Sequence, residues 1–347
     1  MSHSPRRILV RLPNPLGDAV MATPALRALR RGLPGAEITL LALPHHEGLL
    51  RGNRSFDAFL PYRGRGARDL WRRAREIRAR RFDVAVVLPD SARAALDAFV
   101  AGIPRRFGYA RDALRRRLVT DPIEPAMERG ARVPISMVER YLRVTRRLVP
   151  DAGEALELHV ADDAGAHAGA RLAEAGVRPG EGILLVTPGA AFGASKLWPP
   201  EHFARACDGI RDRFGLLPVI APAPSNQEIA IARRVSLAMR GRHVALLEPD
   251  PALSVFVAIV ARAALVLTND TGPRHVAVAL GRPVVTLMGS TDPRHTAHLL
   301  ERQRVLFEDV ACRPCGEKIC PIGDHRCLVR LAPDRAVEAA GELLAAP

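Results

Sequence analysis

The chain has 347 residues, of which 48% are hydrophobic, 25% charged and 4% aromatic. This length predicts two domains of ordinary size, and the apolar content excludes a globally disordered chain. No apolar run reaches the roughly 18 residues that a membrane span needs, and no apolar stretch of signal-peptide length follows the basic start. These features predict a cytoplasmic protein.

Positive charge is concentrated in the first half of the chain. Residues 1–150 contain 30 arginines, no lysine and 14 acidic residues, a net charge of +16, whereas residues 151–347 have a net charge of −2. A basic domain attracts anionic partners such as nucleic acid, anionic lipid headgroups or a phosphorylated glycolipid. The alternative is an arginine-rich solvated surface. Few aromatic residues accompany the arginines, which disfavours a nucleic-acid-binding module because such a module stacks bases on aromatic rings.

Strand and helix patterns alternate through the first half. The periodicity predicts strands over 8–11, 38–42 and 84–88, and helices over 17–31, 71–81, 91–101 and 136–149. Residues 103–135 are rich in Arg and Pro and predict an irregular segment. Pattern-breaking residues from Pro150 onward predict a linker within 150–180.

The same rhythm restarts in the second half. It predicts strands over 183–187, 217–221, 244–247, 264–268 and 284–288, and helices over 200–214, 227–240, 253–261, 272–280 and 334–344. Two successive runs of βα units predict an α/β fold of two Rossmann-like, doubly wound domains that face a central cleft. We place these domains at 1–165 and 166–347, with the last helix a candidate to pack back on the first domain.

The turn after the first strand contains one candidate for chemistry. Gly17 allows a close backbone approach, and Asp18 follows it at the start of a predicted helix. Asp18 is either a general base or an acid that stabilises the helix dipole, and the spacing alone leaves both open. A single glycine in residues 12–17 excludes the glycine-rich fingerprint of a nicotinamide-dependent dehydrogenase.

Two turns in the second half suit an anion. Residues 187–199 form a glycine-containing loop that ends in Lys196, one of only two lysines in the chain. Backbone N–H groups and a compact ammonium would share the charge of a diphosphate. Residues 268–277 place Thr271 and Gly272 at a helix start, which is a ready anion site or an ordinary cap.

Three segments together resemble the heptosyltransferase family of glycosyltransferases, and lipopolysaccharide heptosyltransferase II most of all. They are residues 17–26 (GDAVMATPAL), 192–199 (FGASKLWP) and 269–293 (NDTGPRHVAVALGRPVVTLMGSTDP). The resemblance runs in order from about residue 8 to 330. It implies the GT-B arrangement of two Rossmann-like domains and an inverting transfer from ADP-L-glycero-D-manno-heptose to the lipopolysaccharide inner core, with no required metal cofactor. The implied partners are ADP-heptose and a phosphorylated Kdo-lipid A glycolipid. We expect a cytoplasmic enzyme that either stays in solution or lies peripherally on the cytoplasmic face of the inner membrane.

The resemblance also implies a role for individual residues. Asp18 is the implied catalytic base, and Lys196 the implied group that binds the diphosphate and stabilises the leaving ADP. The implied donor-binding residues are Lys196, Asp270, Thr271, Gly272 and His275, with Glu228 a weaker candidate for the ribose. Alternatives are a different nucleotide sugar or acceptor within the family, or a basic nucleic-acid-binding protein with a zinc site.

Three further features have less defined expectations. The acceptor-binding candidates are Arg105, Arg106, Arg111 and Arg115, because an inner-core acceptor is anionic. Arg274 stands where the family more often has an apolar residue, so that it either strengthens phosphate binding or faces solvent. Four cysteines form a cluster that is either a structural zinc site or a thiol-rich loop without metal: Cys312, Cys315, Cys320 and Cys327.

Overall fold

The computed structural model describes residues 5–64, 66–128, 131–296 and 298–346, with 131 and 132 described for their backbone only. The chain divides into two compact units. The first comprises Met1–Leu158 with Arg294–Thr296, and the second His159–Pro293 with Ala297–Pro347. The corresponding boundary expected from the sequence lies after residue 165.

The first unit contains a six-stranded sheet, a small hairpin and helices. The strands are β1 Arg7–Arg11, β2 Glu37–Ala42, β3 Ala58–Pro61, β4 Val84–Val87, β5 Arg105–Tyr109, β6 Asp121–Ile123, β7 Met127–Glu128 and β8 Ala131–Arg132. The helices are α1 Leu16–Met21, α2 Thr23–Gly32, α3 His45–Leu49, α4 Ala67–Ala79, α5 Ala92–Val100, α6 Ala113–Leu118 and α7 Met137–Thr145. The sheet order is β3-β2-β1-β4-β5-β6, all parallel, and β7 pairs with β8 antiparallel.

The second unit repeats this architecture. Its strands are β9 Ile183–Thr187, β10 Leu217–Ile220, β11 Val244–Ala245, β12 Ala263–Asn269, β13 Val284–Leu287 and β14 Gln303–Leu306. Its α-helices are α8 Asp162–Glu174, α9 Pro200–Phe214, α10 Asn226–Ala238, α11 Leu253–Ala261, α12 Gly272–Ala279, α13 Arg326–Val329 and α14 Pro333–Ala345, and a 3-10 turn spans Ala194–Lys196. The strands are parallel in the order β11-β10-β9-β12-β13-β14.

Both sheets therefore have the doubly wound order, which confirms the predicted fold class. The central strands are continuous apolar runs because parallel sheets are covered by helices on both faces. In each unit the strand order reverses between the first and fourth strands, β1 and β4 or β9 and β12. Ligands of doubly wound sheets bind beyond the carboxyl ends of the strands at this reversal point.

Three local predictions were wrong. The helix expected over 17–31 is two helices that meet at Ala22, because Pro24 cannot continue the hydrogen-bond ladder of the helix before it. The segment 103–135, expected to be irregular, contains β5, α6 and β6. The expected linker contains α8, whose Ala- and Gly-rich sequence has only a narrow buried stripe, including Ala164, Ala168 and Leu172.

The last helix packs within the second unit. Helix α14 lies against α9, β13 and β14, and its buried residues Ala336, Ala340 and Leu343 join the core of that unit. No helix in the described part of the chain is both long enough and apolar enough to cross a membrane.

Candidate functional site

The first unit holds an open cavity of about 360 Å³ beside the carboxyl ends of β1 and β4. Asp18, in the first turn of α1, is half-buried and lines this cavity together with Asp90, which follows β4. Arg140 of α7 binds Asp90 at 2.5 Å. Tyr141 is fully buried, and its pKa is raised well above the usual value by burial and by the charge of Asp18. The cavity therefore places a carboxylate near solvent at the reversal point of the sheet.

A cationic network that the sequence did not reveal forms another wall of this cavity. Arg73 of α4 donates to Asp97 of α5 through Nε at 2.9 Å and Nη2 at 2.8 Å. Arg11, at the end of β1, lies 3.9 Å from the same carboxylate, and the Tyr62 ring lies under both guanidinium groups at 4.3 and 5.2 Å. Two buried cations thus share one buried carboxylate, which leaves this wall of the cavity positively charged.

The four predicted acceptor arginines are divided by the structure. Arg115 is fully buried and donates to the carbonyl oxygens of Tyr109, Ser91 and Pro89, so it stabilises the fold and does not present its guanidinium to a ligand. Arg106 donates to the Leu118 carbonyl at 2.8 Å and is likewise engaged with backbone. Arg115 does not fit the expected role, because each of its three guanidinium nitrogens donates to a backbone carbonyl oxygen. Arg106 uses Nε and Nη1 in this way, and its acceptor role stays a prediction.

Arg105 and Arg111 are exposed. The Arg105 guanidinium lies 5.1 Å from the centre of the Phe107 ring. Neither residue lines the cavity that contains Asp18. The acceptor role of Arg105 and Arg111 stays a prediction.

In the second unit, Asn269 organises the loops at the reversal point. Its side-chain amide donates to the Pro188 carbonyl at 2.7 Å, and its oxygen accepts from the Trp198 backbone N–H at 3.2 Å. One buried side chain at the end of β12 therefore fixes both ends of the loop that follows β9. This loop carries Lys196.

Asp270 is the centre of a buried ionic cluster. Lys196 donates to its Oδ2 at 2.7 Å, the Thr291 hydroxyl donates to the same oxygen at 2.7 Å, and Arg274 donates to Oδ1 at 3.0 Å. Burial raises the pKa of Asp270, but the charges of Lys196 and Arg274 outweigh burial and hold that pKa well below its usual range. Asp270 is therefore ionised and oriented from both sides.

Arg274 neither faces solvent nor lies open to a ligand, contrary to both expectations. It is 1% exposed and is held between Asp270 and the Gln303 side-chain oxygen, which accepts from its Nε at 3.0 Å. Gln303 begins β14, and its own amide donates to the carbonyl oxygens of His298 and Leu299. Sequence reasoning missed Gln303 because the two partners are far apart along the chain and belong to elements that only the folded sheet brings together.

The start of α12 lies beside this cluster. Thr271 is the N-cap residue in extended conformation, its side chain caps no N–H of the helix, and Pro273 occupies the first turn. Gly272 begins the helix, so a backbone N–H group of the first turn can meet an anion there. His275 is buried, and burial together with the charge of Arg274 lowers its pKa to about 3, which keeps the ring neutral near pH 7.

Glu228 lies near the ends of β9 and β10. Its carboxylate accepts from the Ala223 N–H at 3.0 Å, and burial raises its pKa. A Cβ atom at Gly189 would come within 2.1 Å of Glu228, so only glycine allows this carboxylate against the loop after β9. Glu228 thus reaches the same end of the sheet as Lys196.

The four clustered cysteines all line one small cavity of about 20 Å³, together with His325. All are free thiols, and within the described ranges no group of three or more His, Cys, Asp or Glu side chains is arranged to hold a metal ion. The loop that carries them docks on the Lys196 loop, because Ser195 donates its N–H to the Lys318 carbonyl at 3.1 Å. Arg313 in the same loop donates to the Gly289 carbonyl at 2.7 Å.

Residues 70–325 match the sequence model of glycosyltransferase family 9 (heptosyltransferase). The chain belongs to this family. Among its relatives in the family, lipopolysaccharide heptosyltransferase 2 of Escherichia coli K12 is 29% identical over 353 aligned residues, which cover 97% of this chain and 98% of that protein.

Solved structures of similar proteins agree with this assignment. The E. coli ADP-heptose lipopolysaccharide heptosyltransferase II structure superimposes with a TM-score of 0.78 and 26% identity, covering 97% of this chain and 98% of that one. A family 9 glycosyltransferase from Veillonella parvula gives a TM-score of 0.82 at 24% identity, covering 98% and 97%, and shows the same fold. This family 9 member is therefore a glycosyltransferase with two doubly wound units.

Proposed function

We propose that this protein transfers heptose from ADP-L-glycero-D-manno-heptose to the inner core of lipopolysaccharide, with inversion at the anomeric carbon. The observation that carries the proposal is the pairing of Lys196 with Asp270 beside the start of α12, in a chain of the heptosyltransferase family. A diphosphate leaving group needs positive charge at its oxygens, and this cluster supplies it from fixed elements. The full-length similarity to heptosyltransferase 2 of E. coli supports the choice of donor and acceptor.

Asp18 is the general base in this proposal. It takes the proton from the acceptor hydroxyl as that oxygen bonds to the anomeric carbon and the bond from that carbon to the diphosphate oxygen breaks. A carboxylate at a cavity wall meets the geometric need of such a base, because it must reach the proton through a hydrogen bond. Asp90 and Asp97 line the same cavity, paired with Arg140 and Arg73. We choose Asp18 among the three carboxylates because the family resemblance implies this residue as the base.

The leaving diphosphate is bound by Lys196, the Gly272 N–H and His275. The Lys196 ammonium has three donors, and two of them meet the Asp270 carboxylate and backbone carbonyl, at 2.7 and 2.9 Å. The third donor is directed to a phosphate oxygen. Neutral His275 supplies one N–H donor, and Glu228 supplies an acceptor for the ribose hydroxyls.

Asp270 has little capacity left for sugar hydroxyls. An ionised carboxylate accepts about four hydrogen bonds, and Lys196, Thr291 and Arg274 already supply three. Its role in this proposal is therefore chiefly to position Lys196, with at most one heptose hydroxyl at Oδ1. This narrows the function that the family resemblance implied for Asp270.

The acceptor occupies the cavity beside Asp18. Inner-core glycolipids carry carboxylates and phosphates, and the wall formed by Arg11 and Arg73 offers two cations for one carboxylate. This site replaces Arg106 and Arg115 as the main anion contact. The lipid part of the acceptor places the enzyme peripherally at the cytoplasmic face of the inner membrane.

The test is acceptor-dependent ADP release by the purified protein with ADP-heptose and a heptosylated, Kdo-containing core oligosaccharide without lipid. The wild type is expected to release ADP and Asp18→Ala is not, although the variant keeps its affinity for ADP because Asp18 lies in the other unit from Lys196. Calorimetry with ADP checks the binding. A Leu237→Ala variant, changed at an exposed residue of α10, is the matched control for handling and folding.

The outcomes separate the parts of the proposal. Tight ADP-heptose binding without turnover on this acceptor would show that a different acceptor is used. Turnover with another nucleotide sugar but not with ADP-heptose would identify that nucleotide sugar as the donor. No binding of any nucleotide sugar would overturn the glycosyltransferase assignment of this site.

A further inference from the structure

The first unit presents an exposed tryptophan on a basic helix. Trp71 is 60% exposed on α4, whereas Trp198, the other tryptophan of the chain, is fully buried. A large aromatic side chain left in water is costly unless it meets a partner, and Trp favours the boundary between water and lipid. Trp71 therefore marks a surface that binds something.

Arginines surround Trp71 on the same side of the helix. Arg68, Arg72 and Arg75 are all exposed and, with Trp71, recur at three- and four-residue spacing, which places them on one helix face. The buried face of α4 is formed by Arg73, Ala74 and Ile77. The exposed face of α4 therefore combines one aromatic ring with several cations.

Helix α6 continues this surface. The buried residues of α4, α5 and α6 join one core with the sheet, so the three helices cover the same face of the sheet and expose their other sides in the same direction. On α6, Leu114 is 59% exposed and Arg117 is exposed. We name as the basic face the exposed residues Arg68, Trp71, Arg72, Arg75, Leu114 and Arg117.

We propose that the basic face docks the first unit on an anionic phospholipid membrane, with Trp71 and Leu114 inserted at the headgroup level. Helices α4 and α6 are separated by α5, so Trp71 and Leu114 lie about 20 Å apart, two helix spacings. A flat, extended partner reaches both, whereas a small ligand does not. The net charge of +16 in residues 1–150 adds a field that attracts anionic lipid.

The side chains favour lipid over nucleic acid. Nucleic-acid surfaces interleave several aromatic rings with cations so that bases stack, whereas the basic face has one aromatic ring and one leucine. An exposed leucine has no base to stack on, but it gains from entering the acyl boundary. The docking rests on the proposed function only in that a lipid-linked acceptor brings the enzyme to a membrane.

The test uses the full chain and vesicles that contain no glycolipid acceptor. Co-sedimentation is measured with phosphatidylcholine vesicles, with and without phosphatidylglycerol, and tryptophan emission is recorded in parallel. Comparison with Trp71→Phe isolates the signal of Trp71, because Trp198 is buried and stays unaffected. We expect binding only with phosphatidylglycerol, a blue shift that Trp71→Phe lacks, and release by high salt.

Two triple variants decide which surface binds. Arg68→Gln/Arg72→Gln/Arg75→Gln is expected to lower vesicle partitioning on the order of 100-fold, the effect of three cations near an anionic surface. The matched control, with the same loss of charge on the second unit, changes Arg205, Arg233 and Arg234 to Gln and should bind like the wild type. Equal loss in both variants, or no binding by the wild type, would overturn the proposal.

Two further readouts keep the outcomes distinct. If an oligonucleotide displaces the protein from vesicles at physiological salt, nucleic acid and not the membrane is the partner of the basic face. ADP release on the lipid-free acceptor should be the same in the wild type and both triple variants. If the wild type binds vesicles but releases no ADP with the lipid-free acceptor, the proposed function fails while the docking stands.

Discussion

The two units have the same strand order but use their acidic residues in opposite ways. In the first unit Asp18 lies half-buried at the wall of an open cavity. In the second unit Asp270 is 3% exposed and is held by Lys196 and Arg274. The same fold therefore holds one carboxylate at the wall of an open cavity and another buried between two cations, so the environment and not the residue type distinguishes them.

The largest expected effect is on turnover, from Asp18→Asn. Removal of a general base is expected to lower kcat by about 10²–10⁴-fold, while ADP affinity stays unchanged. Steady-state ADP release and ADP calorimetry check the two parts. Asp90→Asn changes the neighbouring carboxylate of the same cavity and is expected to lower kcat far less. The reverse order of the two variants would assign the base to Asp90.

The second prediction concerns stability and contrasts Asp270 with Asp18. Asp270→Asn leaves the charges of Lys196 and Arg274 buried without their carboxylate, which is expected to cost about 3–5 kcal/mol of unfolding free energy. Asp18→Asn, at a half-buried site beside an open cavity, is expected to lower it by less, because it leaves no pair of buried cations behind. Urea denaturation measures both.

A double variant shows whether the loss comes from the unpaired charge. Adding Arg274→Met to Asp270→Asn removes one of the two buried cations, so it should recover part of the lost stability. The contrary outcome is additivity: Arg274→Met lowers the unfolding free energy by the same amount in the Asp270→Asn variant as in the wild type. Arg274 would then stabilise the fold through Gln303 and not through Asp270.

The third prediction uses pH to compare one buried histidine in each unit. Burial chiefly lowers the pKa of His46 in the first unit and of His275 in the second to about 3. Their unfolded-state pKa is about 6.5, so below that pH the unfolded chain binds protons that the folded chain does not. Stability is therefore full above about pH 6.5 and falls toward pH 3, at about 1.4 kcal/mol per pH unit for each histidine.

Single variants assign this pH dependence to each unit. His275→Gln should reduce the pH dependence of the unfolding free energy of the second unit between pH 6.5 and 5.5 by about 0.7 proton, and His46→Gln should do so for the first. Urea denaturation at both pH values gives the change of unfolding free energy with pH. A loss of stability that is the same at both pH values cancels in this difference. An unchanged slope in either variant would mean that the histidine is protonated in the folded chain.

The smallest expected effect is that of a chelator. The charge partners proposed for the diphosphate are Lys196 and the start of α12, so excess EDTA should leave ADP release unchanged. Cys315→Ser, which alters the thiol cluster, should likewise leave ADP release by the chelator-treated protein at the wild-type level. Loss of activity on chelation, restored by zinc, would identify the cysteine cluster as a metal site that supports the donor loops.

The central strands could be predicted from the sequence because each is a continuous apolar run. The edge strands β3 and β14 could not, because they are short and include exposed or half-buried residues such as Pro61 and Arg304. Segment 103–135 was predicted irregular because arginines dominate it. Yet Arg115 is fully buried there, in space that Gly108 leaves open, since a Cβ at Gly108 would lie 2.8 Å from its guanidinium.

The candidate site was predictable where a turn follows a strand, as for Asp18, Lys196 and Asp270. Its ionic partners were not predictable, because Arg274 and Gln303 meet only after β14 joins the sheet beside β13. The cavity wall formed by Arg11 and Arg73 could not be predicted for the same reason. Neither arginine differs in sequence from its neighbours, and only the packing of α4 and α5 against the sheet brings both to Asp97.

The loop after β9, which carries Lys196, packs closely against the loop after β13 and the cysteine-containing loop, and this limits how the site can change in evolution. A Cβ atom at Gly289 would lie 2.7 Å from the Ser195 carbonyl oxygen, and one at Gly193 would lie 2.4 Å from the Lys318 carbonyl oxygen. Any larger residue at either position must displace backbone next to Lys196. A lineage that acquires such a residue would have to shift the neighbouring loop in the same step, so these segments should diversify together.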